Sequence, residues 1–222
     1  MTDWQGRIHR LMALAEDQAG TPEGDLAARL ARDIMVRRNR QLSSLRLKSR
    51  NELDPFSRAD LDLGGRAHWR RVLSGIVAQH CECVCSIADG QARLTGRRSG
   101  VLVATYLYRV MSRCLAGQQV AWLGEHNLLD DAVAARNFGE SAVLALRHRL
   151  RQIRENEAAD PSLTSLVCAD MAALQKWLAQ QGVTLQAAAP FGFALSQEGY
   201  RAGYTIPLHD AVEAGDSESD LW

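Results

Sequence analysis

WRRVLSGIVAQHCECVCSIADGQARLTGRRSG, residues 69–100, carries two periodicities in succession. Trp69, Val72, Leu73, Ile76 and Val77 recur at three, four, seven and eight residues from the tryptophan, which is the spacing of one face of an α-helix. From Cys81 the period drops to two. Cys81, Cys83, Cys85 and Ile87 alternate along one strand, Asp89-Gly90 is a favoured two-residue hairpin turn, and QARLTG returns as the partner strand. Ser99 stands where an N-cap belongs, and VLVATYLYRVMSRCL predicts a second helix ending at Gly117. The stretch reads helix, strand, strand, helix, and it sets the fold class as mainly helical α+β, an α-β-β-α-type domain with further C-terminal helices.

Upstream, Trp4, Ile8, Leu11, Met12 and Ala15 mark one helical face that Gly20 ends. Thr21-Pro22 supplies an N-cap followed by proline at the first helical position, where its missing N–H costs nothing. Leu26, Ala27, Leu30, Ala31, Ile34 and Met35 continue as a second helix, so residues 1–42 read as an αα-hairpin. Pro55 and Gly64-Gly65 mark residues 43–65 as a basic, polar linker, and the α+β domain is expected over 66–212. Within it, helices are expected at Leu129–Glu157 and Leu166–Gln181, the latter closed by Gly182, with VTLQAAAP as a third strand. SQEGYRAGYTIPLHDAV reads as a short helix that Pro207 ends. Gly199 and Gly203, one turn apart, predict close approach to another backbone. EAGDSESDLW, residues 213–222, has the composition of an acidic disordered tail.

Over 222 residues, 46% apolar and 23% charged composition is that of a globular chain with a real core. No run approaches the roughly 18 consecutive apolar residues of a membrane span. MTDWQGRIHR carries Asp3 and lacks the pattern of a secretory signal, so a cytoplasmic location is expected. There the five cysteines are expected to stay reduced. The zero net charge conceals an asymmetry. Residues 1–150 hold 22 Lys+Arg against 16 Asp+Glu, and residues 151–222 hold 4 against 10.

The hairpin motifs RIHRLMALAED and TPEGDLAARLARDIMV resemble those of bacterial and phage proteins of domain-of-unknown-function family 2786, roughly I-x-K-L-L-A-L-A followed by E-A-x-x-A-x-x-x-A-x-x-L-M. Ile8, Leu11, Met12, Ala13, Leu14 and Ala15 match the first block, and Ala27, Ala31 and Met35 fall in the second. The family's usual C-terminal domain is similar in order to Trp69, to Gly96 followed by VLVATYLYRVM, to NFGESAVLAL at Asn137–Leu146 and to GYRAGYTIPL at Gly199–Leu208. The resemblance implies an accessory protein of Mu-like phages and prophages and names no catalytic residue.

Several patterns bear on chemistry. HCECVC, with His80, Cys81, Cys83 and Cys85, has the residue types of a zinc site. On a strand, however, Cys81 and Cys85 would lie roughly 13 Å apart, so these cysteines read first as small core residues. Signatures of hydrolases, P-loop nucleotide enzymes and zinc proteases are absent from the sequence. No cofactor is implied. TGRRSG is an anion-site candidate in which Arg97 and Arg98 flank a helix start; the ordinary alternative is a capped turn with solvated arginines. Arg147, Arg151 and Arg154 form a helical stripe. Arg37, Arg38, Arg40, Arg46, Lys48 and Arg50 form a run without a single acid.

Two functions follow as expectations. One is a non-enzymatic mobile-element accessory protein that binds nucleic acid through these basic residues. The alternative is a protein-binding adaptor or inhibitor of a host factor acting through the hairpin, with the acidic tail masking the basic surface or mimicking nucleic acid. A metal-dependent enzyme is the third and weakest reading.

Overall fold

The computed structural model describes residues 4–18, positions 23–24, 26–27, 30–31 and 33–34, and residues 52–65, 67–88, 90–157, 161–183 and 192–206. In chain order these form α1 (Trp4–Asp17), β1 (Phe56–Leu61), α2 (His68–His80), β2 (Val84–Ala88), β3 (Gln91–Arg97), α3 (Arg98–Glu125), α4 (Ala132–Glu157), α5 (Pro161–Gln180) and α6 (Gln197–Thr205). The fold is a mainly helical α+β arrangement around one small antiparallel sheet. Among the described residues, no helix is long and apolar enough to cross a membrane.

The helical spacing at the N-terminus does what it implies. Ile8, Met12 and Ala15 of α1 are buried, and so are Ala27 and Ala31, which lie at described helical positions of 23–34. These five residues belong to the same core cluster as the sheet and the long helices, and α1 packs on α3.

The sheet has the order β1-β3-β2 with both pairings antiparallel. The hairpin forms where the sequence predicts it: Ala88 of β2 pairs with Gln91 of β3, and Gly90 takes φ 79°. The third strand differs from expectation. It is Phe56–Leu61, inside the stretch read as linker, and it pairs Phe56 with Arg97 and Leu61 with Ala92. Its residues FSRADL bury only Leu61 deeply, so it carries no alternating apolar signal. VTLQAAAP lies, after Val183, outside the described residues, as do the segment 35–51 with its arginine run and residues 207–222 with Pro207 and the acidic tail.

The strand expected to start at Cys81 starts at Val84. The three residues before it complete the end of α2. Cys83 N–H donates to Ala78 O at 2.8 Å and Glu82 N–H to Gln79 O at 3.4 Å, with Glu82 at φ 57°. This is the Schellman closure of a helix, with a glutamate in the left-handed position that glycine usually takes. Cys81 and Cys83 are thereby turned into the core, each 5% exposed, and Cys85 shares a hydrogen bond with Ser74 at 3.3 Å. No group of three or more His, Cys, Asp or Glu able to hold a metal ion exists among the described residues.

Burial pushes the Cys83 thiol well above its ordinary range, with neighbouring Cys81 and Glu82 adding to the rise. The folded state thus keeps a proton that the unfolded chain releases. Its contribution to stability is complete below the ordinary thiol range and is lost as pH rises through the folded value. Timed alkylation at neutral pH followed by mass spectrometry should label exposed Cys168 first and Cys81 and Cys83 only on unfolding. Rapid labelling of Cys83 in the native protein would contradict this packing.

α3 runs through Gly117 to Glu125. An exposed glycine costs a helix about 1 kcal/mol, and here Leu115 and Leu123, buried on either side of it, hold the helix together. α4 is capped by Asp131, whose carboxylate accepts from Val133 N–H and Ala134 N–H at 2.9 Å each. Buried Glu140 of α4 accepts from Arg136 Nε at 3.0 Å and meets His68 Nδ1 at 3.1 Å, tying the start of α2 to α4. α6 is capped by the Ser196 hydroxyl, which accepts from Gly199 N–H at 3.1 Å. It lies on α4 with Gly199 against the Phe138 carbonyl and Gly203 against the Ala142 carbonyl, as the glycine spacing predicts.

Candidate nucleic-acid interface

The two arginine patterns that the structure describes have different fates, and packing decides between them. Arg97 does not reach solvent: its side chain is 7% exposed and pairs with Asp170 of α5, itself 6% exposed, at 2.8 Å. Its second amino group donates to the Asp54 carbonyl at 2.9 Å, and its guanidinium lies 4.1 Å from the centre of the Phe56 ring. The start of α3 is likewise occupied. The Asp54 carboxylate accepts from Ser99 N–H at 3.1 Å and from the Ser99 hydroxyl at 2.6 Å. The expectation of Ser99 as cap and Arg97 as a surface anion ligand is therefore corrected. The anion at this helix start is the chain's own buried Asp54, 45 residues earlier in sequence than Ser99. Arg98 does stay on the surface.

The stripe on α4 keeps its exposure. Arg147 and Arg151 are exposed and Arg154 is half-buried, and together they edge a cleft of about 310 Å³ between α4 and the last turn of α2. Ile76 and Leu150, both buried, form its apolar floor, and Gln79, His80 and Glu155 complete the lining. Arg154 Nη1 donates to Gln79 O at 3.1 Å, the same carbonyl that accepts from Glu82 N–H in the closure of α2, and this fixes that guanidinium at the cleft edge. Arg151 Nε meets Glu155 Oε1 at 3.3 Å, but both side chains are more than 60% exposed, so solvent screens this pair and it does not hold Arg151 back. Arg147 has no hydrogen-bond or ion-pair partner among the described residues. Three guanidinium groups thus face one carboxylate around a concave surface.

Arg149 lies two residues from both Arg147 and Arg151, about 200° around the helix, so it points to the other side. There its Nη1 donates to Gly203 O at 3.1 Å and Ile206 O at 2.6 Å, closing the end of α6. Residue spacing alone separates Arg149 from the stripe. It cannot show that Gln79 and His80 complete the cleft, because they arrive from a helix about 70 residues away.

Arg37, Arg38, Arg40, Arg46, Lys48 and Arg50 lie outside the described residues. Of the weak metal candidates, His80 lines the cleft, Cys81 and Cys83 are core residues, and Cys85 is half-buried on the sheet. Compared with protein-family models, with curated proteins and with solved structures, the chain finds no match.

Proposed function

We propose that this chain is a non-enzymatic accessory protein of a phage or prophage that binds nucleic acid, with the cleft between α2 and α4 as a phosphate-holding surface. One observation carries the binding reading: Arg147 and Arg151 stand one turn apart on an exposed helix face without a buried counter-charge among the described residues. Guanidinium groups so placed suit a phosphate backbone, whose capture releases counterions and so weakens with salt. The mobile-element reading rests on the resemblance of the hairpin and of GYRAGYTIPL to family 2786.

Anisotropy of labelled single- and double-stranded DNA and RNA should show affinity that falls linearly with the logarithm of salt concentration. Arg147→Glu/Arg151→Glu should cost about tenfold or more and lower the salt slope by about two. An unchanged slope would remove the cleft from the interface. Absence of binding by the wild-type chain at low salt would favour a protein partner instead. That second reading has its own support, because Leu14, Leu26 and Leu30 of the N-terminal helical region are 47%, 52% and 39% exposed.

A further inference from the structure

The packing of α6 leaves two aromatic rings beside the helix seam instead of in it. α6 is secured on α4 by Gly199 and Gly203 against the α4 backbone, by buried Ile206, and by Arg149 on the Gly203 and Ile206 carbonyls. Tyr200 and Tyr204, one turn apart, stand at the edge of this contact with ring centres 5.3 Å apart. Tyr200 is half-buried and Tyr204 is 42% exposed. Two groups from α4 hold the outer ring in place. His148 Nδ1 meets the Tyr204 hydroxyl at 3.0 Å, and the Arg149 guanidinium lies 5.9 Å from the ring centre. A surface ring fixed in this way has given up part of its rotamer freedom before any ligand arrives, which is the condition for tight stacking.

The rings continue the arginine surface. Successive residues of α4 turn by about 100°, so exposed Leu144 and half-buried His148 occupy the arc between Arg147 and α6. Beyond the rings, exposed Arg201 lies on the side of α6 opposite its glycines. An aromatic pair thus stands between cations on α4 and a cation on α6. Single-stranded nucleic acid fits such a strip: its phosphates take the guanidinium groups while its unpaired bases stack on the rings. A duplex keeps its base faces inside and offers the tyrosines nothing to stack on. We infer that Tyr200 and Tyr204 form a base-stacking platform beside Arg147 and Arg151, and that the ligand of this surface is single-stranded nucleic acid. The inference rests on the phosphate-binding reading of the two arginines and names the kind of strand they take.

Anisotropy on the full-length chain tests it with oligothymidylate of about 12 nucleotides. An oligomer of the same length with abasic sites in place of its bases should bind the wild-type chain roughly tenfold more weakly at the same salt slope, because its phosphates are unchanged. This comparison does not rely on any variant folding. Tyr200→Leu/Tyr204→Leu should reproduce the loss on oligothymidylate. Tyr200→Phe/Tyr204→Phe, which keeps both rings and drops the hydroxyl contact to His148, should bind as the wild type does. Equal affinity for the abasic oligomer, a leucine pair of native melting behaviour that binds undiminished, or a phenylalanine pair as weak as the leucine pair would overturn the proposal. Binding that is lost in Arg147→Glu/Arg151→Glu but is indifferent to bases and rings would overturn this inference and leave the cleft reading standing; no binding by the wild-type chain would remove both.

Discussion

Gly203→Leu is expected to lower the melting temperature by roughly 6–12 °C. At Gly203 a Cβ would meet the Ala142 carbonyl oxygen and would come within 2.8 Å of Ala145 Cβ. The obstacle is helix backbone, which cannot rotate away as a side chain does. The cost therefore falls at the top of the usual overpacking range, about 3 kcal/mol. Arg149 reaches the Gly203 and Ile206 carbonyls from α4, so separation of the helices would also break those hydrogen bonds. Gly117→Ala is the control, because nothing lies near that exposed position and alanine should stabilise α3 by up to about 1 kcal/mol. A Gly203→Leu chain that melts like wild type would mean that α6 does not pack on α4 in this way.

Arg97→Met should be at least as damaging. It leaves Asp170 buried without its cation and takes a donor from the Asp54 carbonyl. Removing one partner of a buried ion pair costs about 3–5 kcal/mol, or roughly 6–20 °C in melting temperature for a chain of this size. Replacing both partners, Arg97→Met with Asp170→Leu, should recover most of the loss, because neither member of the ion pair is then left buried alone. If the single and double variants were equally stable, the pair would not be buried as described.

What could be read in the sequence was local and periodic. α2, the β2–β3 hairpin, α4 and α6 announce themselves because Trp69, Val72, Leu73 and Ile76, the Asp89-Gly90 turn, the arginine stripe and Gly199/Gly203 all repeat at intervals the chain itself fixes. β1 could not be read this way. It is an edge strand whose outward residues Phe56, Arg58 and Asp60 take their partners from β3 and α5. Arg97 reads as a surface arginine because its acid, Asp170, is 73 residues away. Asp54 looks like a linker residue for the same reason. The cysteines fit an alternating strand, and only the closure at Glu82 reveals that the first of them belong to the end of a helix. Half of the cleft was legible, the half on α4, since the other wall is supplied by a tertiary contact.

The placing of β3 between β1 and β2 also makes its alignment self-checking. A slip of one residue would exchange the strand's two faces. Arg93, Thr95 and Arg97 would turn toward the interior while Leu94 and Gly96 turned outward, and both neighbouring strands would lose their partners together. Misaligned pairings are thus rejected by two edges and by buried charge, so a seven-residue strand specifies its own position without help from length.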